Sequence, residues 1–301
     1  MTATAKDRAN RGETEHREGA AHAATLRAPA SAVVTALATT PVKALRITAR
    51  SELTLTHTGV PENRLFYLVD DDARMVNGKK IGILSAVRAD YEPQTGQLTM
   101  IFPDGTEVAD TVRLGDAIQT QFFSRTPTAR LVHGPWASML SRYAATQLRL
   151  VQSDATQGGV DRGPAGAVSL ISRASLARLE AVAGRPVDPR RFRMLIEITG
   201  VAAHGEDDWV GHTVQIGAAR VAIRGHVGRC LVTSQSPDSG IVDMPTLKLL
   251  SYRRELPTTE RLAFGIFGEV LQAGPVRVGD EVTLISDEPV SGRNNEQRDT
   301  E

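Results

Sequence analysis

Between Ala32 and Leu114 the chain is cut into short strand-like runs by turn chemistry, and that spacing sets the architecture it can adopt. Leu53–Leu55, Arg64–Val69, Gln97–Phe102 and Thr111–Leu114 are apolar or alternating runs too short for helices. Thr58-Gly-Val-Pro61, Asp70-Asp-Asp72, Asn77-Gly78 and Pro103-Asp-Gly105 separate them, and these residue types favour tight reversals of the backbone. Many short strands with frequent turns and no long helix predict a small barrel or sandwich. Order is expected to begin near Ala32–Leu37 and to run into Pro41–Ile47. The stretch before it mixes charge, Ala, Thr and Gly without periodicity, which reads as a disordered arm.

The period changes at Trp136. Trp136, Met139, Leu140, Tyr143 and Ala144 recur at helical spacing, so Trp136–Leu148 predicts an amphipathic helix. A glycine-rich loop follows over Gln157–Gly166. A second helix is expected from about Ser172 to Ala183, ended by Gly184 and Pro186, and a short third one after Pro245. Strands are expected over Arg191–Ile198, Thr213–Ile216, Glu269–Leu271 and Glu281–Ile285. A chain of 301 residues is long enough for two cores. The expected class is mainly β with some α, divided as an arm over residues 1–30, a small β-barrel domain over 31–120, a second β domain with a few peripheral helices over 121–286, and a polar tail over 287–301.

Charge and cysteine content narrow the partners. Lys+Arg and Asp+Glu balance at 35 each, so no overall field draws the chain to nucleic acid or to an anionic membrane. No apolar run reaches the roughly 18 residues of a membrane span. The N-terminus has no signal-peptide core, and its acidic residues argue against a mitochondrial presequence. A single cysteine permits no internal disulfide, consistent with the reducing cytoplasm, and cannot hold an iron–sulfur cluster.

That cysteine, Cys230, lies in Arg224-Gly-His-Val-Gly-Arg-Cys-Leu-Val-Thr-Ser-Gln-Ser-Pro-Asp-Ser-Gly240. Val221–Ile223 alternates like the end of a strand, Leu231–Thr233 reads as the start of another, and Pro237–Gly240 as a turn. The thiol is expected at the break, with Arg224, His226 and Arg229 close by, and cationic neighbours favour the nucleophilic, metal-binding thiolate. Two readings stay open on local chemistry alone: a reactive or ligating thiol, and a buried cysteine acting as a small hydrophobe. Other chemistries lack their motifs. No dinucleotide glycine pattern follows a strand, and Asn77-Gly-Lys-Lys80 fails as a phosphate loop because Ala73 and Ile81 stand where Gly and Ser or Thr are needed. No Gly-x-Ser-x-Gly elbow and no His-Glu-x-x-His pair occurs.

Several segments, in order over about residues 33 to 286, resemble the MOSC superfamily, molybdenum-cofactor-binding proteins that include the amidoxime reducing components. Thr40-Pro-Val-Lys-Ala44 is similar to the opening Tyr-Pro-Val-Lys-Ser of the family's N-terminal β-barrel, and Asn63–Val69 to its Asp-Arg-x-Trp-x-Val strand. Ser169–Leu176 resembles a strand-to-helix segment ending in Ala-Ser-Leu, and Arg229–Gly240 the signature Arg-Cys-x-x-Thr-x-x-Asp-Pro-x-Thr-Gly. Leu249–Arg253 and Phe264-Gly with Val278–Asp280 resemble the closing elements. The resemblance implies an N-terminal β-barrel packed on a MOSC β-barrel, with Cys230 as protein ligand to molybdenum, a soft thiolate suiting a metal held by pterin dithiolene sulfurs. It implies Lys43, Arg64, Arg193 and Arg229 as cofactor contacts, with Lys79 or Lys80 replacing a family arginine; for the two lysines a solvated turn is the competing reading. Ala44 replaces a serine, Leu195 an asparagine, Ser236 an aspartate and Phe267 a tyrosine near the metal, while Asp161 approximates an acidic position. The activity implied is reduction of a small N-hydroxylated compound by a molybdenum-cofactor oxidoreductase, with electrons from a separate flavin or iron–sulfur reductase. The alternative is a sulfur carrier whose Cys230 persulfide comes from a pyridoxal 5'-phosphate desulfurase.

Overall fold

The computed structural model describes residues 32–153, 163–254 and 256–285. The first segment opens with β1 (Ala32–Thr39), β2 (Thr48–Arg50), β3 (Glu52–Leu55), β4 (Phe66–Val69) and β5 (Met75–Val76). It continues through β6 (Arg88–Glu92), β7 (Gln97–Ile101), β8 (Glu107–Thr111), β9 (Arg113–Gln119), β10 (Thr128–His133), α1 (Trp136–Ala144) and β11 (Arg149–Ser153). The rest holds β12 (Val168–Ser172), α2 (Arg173–Ala183), β13 (Ile196–Thr199), β14 (Thr213–Ile216) and β15 (Ala219–Gly228). Then come α3 (Thr246–Leu249), β16 (Ala263–Gln272), β17 (Gly274–Arg277) and β18 (Glu281–Ile285). The chain is mainly β, as its short runs predict. None of the described helices is long and apolar enough to cross a membrane.

Seven strands close into a barrel in the order β13-β12-β16-β15-β14-β18-β1, with β1 completing the ring against β13. The interior follows from strand alternation: Val34 and Leu37 of β1 point inward with Ile196, Ile198, Val214, Ile216, Val221, Ile266 and Val282. A second core gathers Phe66, Leu68, Leu98 and Met100 from the sheets β5-β4-β11-β10-β9 and β6-β7-β8 with Trp136 and Leu140 from α1. The pairing crosses the boundary expected at residue 120. β1 is a stave of the later barrel, while β10, β11 and α1 belong with the earlier sheets. Local periodicity gives a strand's faces but not its partner, and Val34 pairs with Ile198 far along the chain.

Helix ends follow their capping residues. Ser172 caps α2, its Oγ accepting from the Ser175 amide at 3.0 Å, and Gly184 ends it with φ +65°. α1 buries Trp136, whose Nε1 donates to the Leu98 carbonyl at 2.9 Å, and stops at Ala144, before the expected Leu148, because Ala145 turns left-handed at φ 50°. Three stretches differ from the runs read as ordered or extended. Pro41–Ile47 is a turn held to Phe66 by a single bridge at Val42. Pro189–Phe192 is a 3-10 turn capped by Asp188, whose carboxylate accepts from the Arg190 amide at 2.9 Å; β13 starts only at Ile196. Leu231–Ser234 after Cys230 is also a 3-10 turn, while the strand before it runs further than alternation suggests, to Gly228.

Candidate functional site

Cys230 lies where β15 ends, with an extended backbone at φ −128° and ψ 178°. The Thr233 amide and hydroxyl both donate to the Cys230 carbonyl, at 3.0 and 2.9 Å, so the backbone is pinned while the side chain stays exposed. The thiol is therefore open rather than sealed in a core, so it does not act as a buried small hydrophobe. It forms part of the wall of a cavity of about 460 Å³, within the range of cofactor and ligand pockets.

The wall is cationic. Lys43, Arg64, Lys79, Arg191, Arg193 and Arg229 line it, and no carboxylate does so among the described residues. Phe192, Met194, Phe267 and Phe123 supply its apolar face. An arrangement of this kind holds an anion against a soft, apolar floor. Four of its residues adopt the left-handed backbone that non-glycine residues avoid: Ala44 (φ 78°), Arg64 (φ 56°), Phe123 (φ 55°) and Arg193 (φ 53°). Such backbone costs about 1–3 kcal/mol each and concentrates at functional sites, where the surrounding structure enforces it.

Hydrogen bonds enforce it here. The Arg64 amide donates to the Thr40 carbonyl at 2.6 Å, and Arg64 Nη2 to the Arg193 carbonyl at 3.0 Å. Arg193 Nη2 in turn donates to the Leu45 carbonyl at 2.7 Å, tying the approach to β13 to the Lys43–Leu45 turn. The Lys43 amide donates to the Phe66 carbonyl at 2.8 Å, and its ammonium stands 5.5 Å from the centroid of the Phe122 ring. Arg229 stacks its guanidinium 5.3 Å from the Phe192 centroid, with Nε donating to the Phe264 carbonyl at 2.8 Å and Nη1 to the Phe192 carbonyl at 2.9 Å.

Six of the seven residues singled out in the sequence, Lys43, Arg64, Lys79, Arg193, Arg229 and Cys230, thus meet at one cavity. Lys80 is exposed and does not line it. Asn77 explains the split: its Oδ1 accepts from the amides of Lys79 and Lys80 at 3.0 and 3.3 Å, an Asx turn that sets the two side chains apart. Arg224 and His226 are not the thiol's cations. Arg224 pairs with Glu269, Nη2 to Oε2 at 2.8 Å, and buried His226 meets Thr259 Oγ1 at 3.1 Å through Nδ1. Of the departures, Phe267 lines the cavity, Leu195 is buried in the barrel core, and Asp161 lies outside the described residues.

The sequence reading missed Arg191, Gln235 and Phe123. Arg191 is buried, forks onto Asp243 with both contacts at 2.7 Å, and donates to the Gln235 carbonyl at 2.7 Å. Gln235 Nε2 then reaches the Gly78 carbonyl at 2.8 Å, so one arginine braces the segment after Cys230 against both domains. Hydrogen bonds from Arg191 hold the Asp243 carboxyl below the usual carboxylate range. The available signal was Asp188-Pro189, a cap followed by proline, which marks a turn and not a strand. Among the described residues no three His, Cys, Asp or Glu side chains gather to hold a bare metal ion.

Residues 31–143 match the MOSC N-terminal beta barrel domain and residues 157–283 match the MOSC domain. The chain belongs to the MOSC superfamily. This MOSC protein is 25% identical to mitochondrial amidoxime-reducing component 1 of Xenopus laevis over 287 residues, 84% of this chain and 82% of that one. It is 30% identical to mitochondrial amidoxime-reducing component 1 of Mus musculus over 201 residues, 64% of this chain and 57% of the other. Mitochondrial amidoxime reducing component 2 of Bos taurus is 34% identical over 122 residues, 38% and 36% of the two chains.

Proposed function

We propose that this MOSC protein is a molybdenum-cofactor oxidoreductase that reduces N-hydroxylated compounds such as amidoximes, hydroxylamines or N-hydroxy bases. The observation that carries the proposal is an open thiol, Cys230, on the wall of a cavity with six cationic side chains and no carboxylate among the described residues. The residues fit the cofactor. A thiolate suits a metal already held by dithiolene sulfurs, and Lys43, Arg64 and Arg193 offer charged donors for its phosphate. The relatives named for amidoxime reduction support the choice of reaction.

When bound, the cofactor supplies two-electron removal of an oxygen atom from nitrogen. The overall change takes N–OH, two electrons and two protons to N–H and water. The chain's own share is positional. The Thr233 bonds fix the backbone that presents Cys230, Arg193 and Arg64 hold the seam, and Phe192, Met194 and Phe267 keep one face of the cavity apolar. A lone cysteine cannot build an iron–sulfur cluster, so electrons come from a separate flavin or iron–sulfur reductase. The same lone cysteine suits a reducing compartment such as the cytoplasm. A persulfide carrier fed by a desulfurase would use Cys230 but leave the cationic cavity without a task.

The test is protein made in a cofactor-competent host, assayed for molybdenum and for amidoxime reduction with a viologen donor. Wild type is expected to hold about one molybdenum per chain and to turn over, with both lost in Cys230→Ala. Wild type without molybdenum, or full activity in Cys230→Ala, overturns the proposal. Sulfur stably added to Cys230 without bound pterin replaces it with the carrier.

A further inference from the structure

Phe123 breaks two rules at once. It is 60% exposed, and its backbone is left-handed at φ 55°. The Phe122 amide donates to the Arg125 carbonyl at 2.8 Å and the Arg125 amide to the Phe122 carbonyl at 3.1 Å, so Phe123 is the first central residue of a two-residue hairpin. Hairpins fill that position with Gly, Asn or Asp because a Cβ is disfavoured there. Folding gains little from a large ring at such a place. Yet the ring is held in a fixed attitude, edge-on to buried Phe122 at 5.4 Å and 86°, with the Lys79 ammonium 5.9 Å from its centroid. Phe122 is itself braced edge-on by Tyr67 at 5.6 Å, with Lys43 and Arg125 beside it. The exposed ring at the end of this ladder lines the same cavity as Cys230.

We infer that Phe123 sorts substrates at this site, stacking on the planar π-system of an aromatic or heteroaromatic N-hydroxylated compound and thereby favouring it over aliphatic analogues. The inference rests on the function proposed above. Aromatic pairs in offset or edge-to-face geometry gain affinity beyond the area they bury, and an aliphatic substrate forgoes that gain.

The experiment uses holoprotein reduced by a viologen, which removes any reductase partner from the readout, with benzamidoxime and acetamidoxime as the pair. In Phe123→Ala the KM for benzamidoxime is expected to rise about tenfold, with kcat and the acetamidoxime KM changed less than twofold. Phe123→Tyr keeps the wild-type ratio. Phe123→Gly melts no lower than wild type, since glycine relieves the left-handed position, which separates sorting from packing. Equal shifts for both substrates, no shift, or a marked fall in Tm for Phe123→Gly overturns the inference. Calorimetric binding of the two amidoximes to oxidised holoprotein provides a readout that does not depend on turnover. If wild type reduces neither, the proposed activity fails, and the binding arm still decides Phe123: a preference for benzamidoxime that Phe123→Ala abolishes supports sorting, and equal affinities refute it.

Discussion

Replacing Arg191 by methionine keeps the side chain's length and removes its fork. Three hydrogen bonds go: two to Asp243 and one to the Gln235 carbonyl, all at 2.7 Å. Bonds to charged groups contribute about 1.5–3 kcal/mol each, but these do not add at full value. The Arg191 side chain is 6% exposed while that of Asp243 is 41% exposed, so the abandoned carboxylate recovers water and the cost falls well below that of a fully buried broken pair. We expect about 2–3 kcal/mol for Arg191→Met, and roughly half for Arg191→Lys, which keeps the charge but not the bidentate geometry. In a chain of this size that is a fall in Tm of roughly 5–10 °C for the methionine variant. The pH dependence has a definite sign. Because the folded Asp243 carboxyl is held below its usual range, its stabilisation is complete above the ordinary value near pH 4 and is lost as pH falls through the lower folded value. Thermal melts followed by circular dichroism at pH 7, and then stepwise below pH 4, measure both. A methionine variant melting within 1 °C of wild type at pH 7, or a gap that fails to narrow in acid, refutes the brace.

Gly240 sits at φ +71°, and a Cβ there would collide with the Gly82 carbonyl across the seam, so Gly240→Ala should lower Tm far more than Gly211→Ala, whose φ is +89° but whose Cβ meets nothing. Burial lowers the His204 pKa to about 4 from 6.5, and burial lowers His226 in the same direction. The neutral rings therefore stabilise the fold above about pH 6.5, and the His204 contribution drains away towards pH 4; His204→Gln should flatten this limb of a Tm–pH curve, and an unchanged limb counts against it. Leu37→Ala, at a position 1% exposed in the first strand, should cost about 2–5 kcal/mol and raise amide exchange at Ile198 and Val282 of the later barrel before that of β6–β8; loss confined to β6–β8 would contradict the closure by β1.

Much of the barrel was legible because side chains two apart along a strand face the core, as Val214 with Ile216 and Val282 with Leu284 do. Ser172 and Gly184 marked their helix for the same local reason. Periodicity fails around Cys230. β15 shifts register between Ile223 and Gly225 and again between His226 and Gly228, so counting residues back from the cysteine does not tell which side chains share its face. Arg224 and His226 look adjacent in sequence and are spent on Glu269 and Thr259. Arg191–Arg193 reads as a strand by composition, but the Asp188-Pro189 cap and the left-handed Arg193 make it a turn. The resemblance located Lys43, Arg64 and Arg193, whereas Phe123 has no sequence signal, because a phenylalanine before serine does not announce a left-handed hairpin.

The distribution of strained backbone explains why these distant segments form one site. Ala44, Arg64 and Phe123 come from turns of the first described segment and Arg193 from the approach to β13, and each turns the chain with a left-handed backbone. All four line the gap between the barrel and the earlier sheets. Bonds across that gap hold the bends: Arg64 to the Arg193 carbonyl, Arg193 to the Leu45 carbonyl, Gln235 to the Gly78 carbonyl. Cations drawn from both domains face one volume, Lys43, Arg64 and Lys79 from the earlier segment and Arg191, Arg193 and Arg229 from the later one, so neither domain alone carries both halves of the wall.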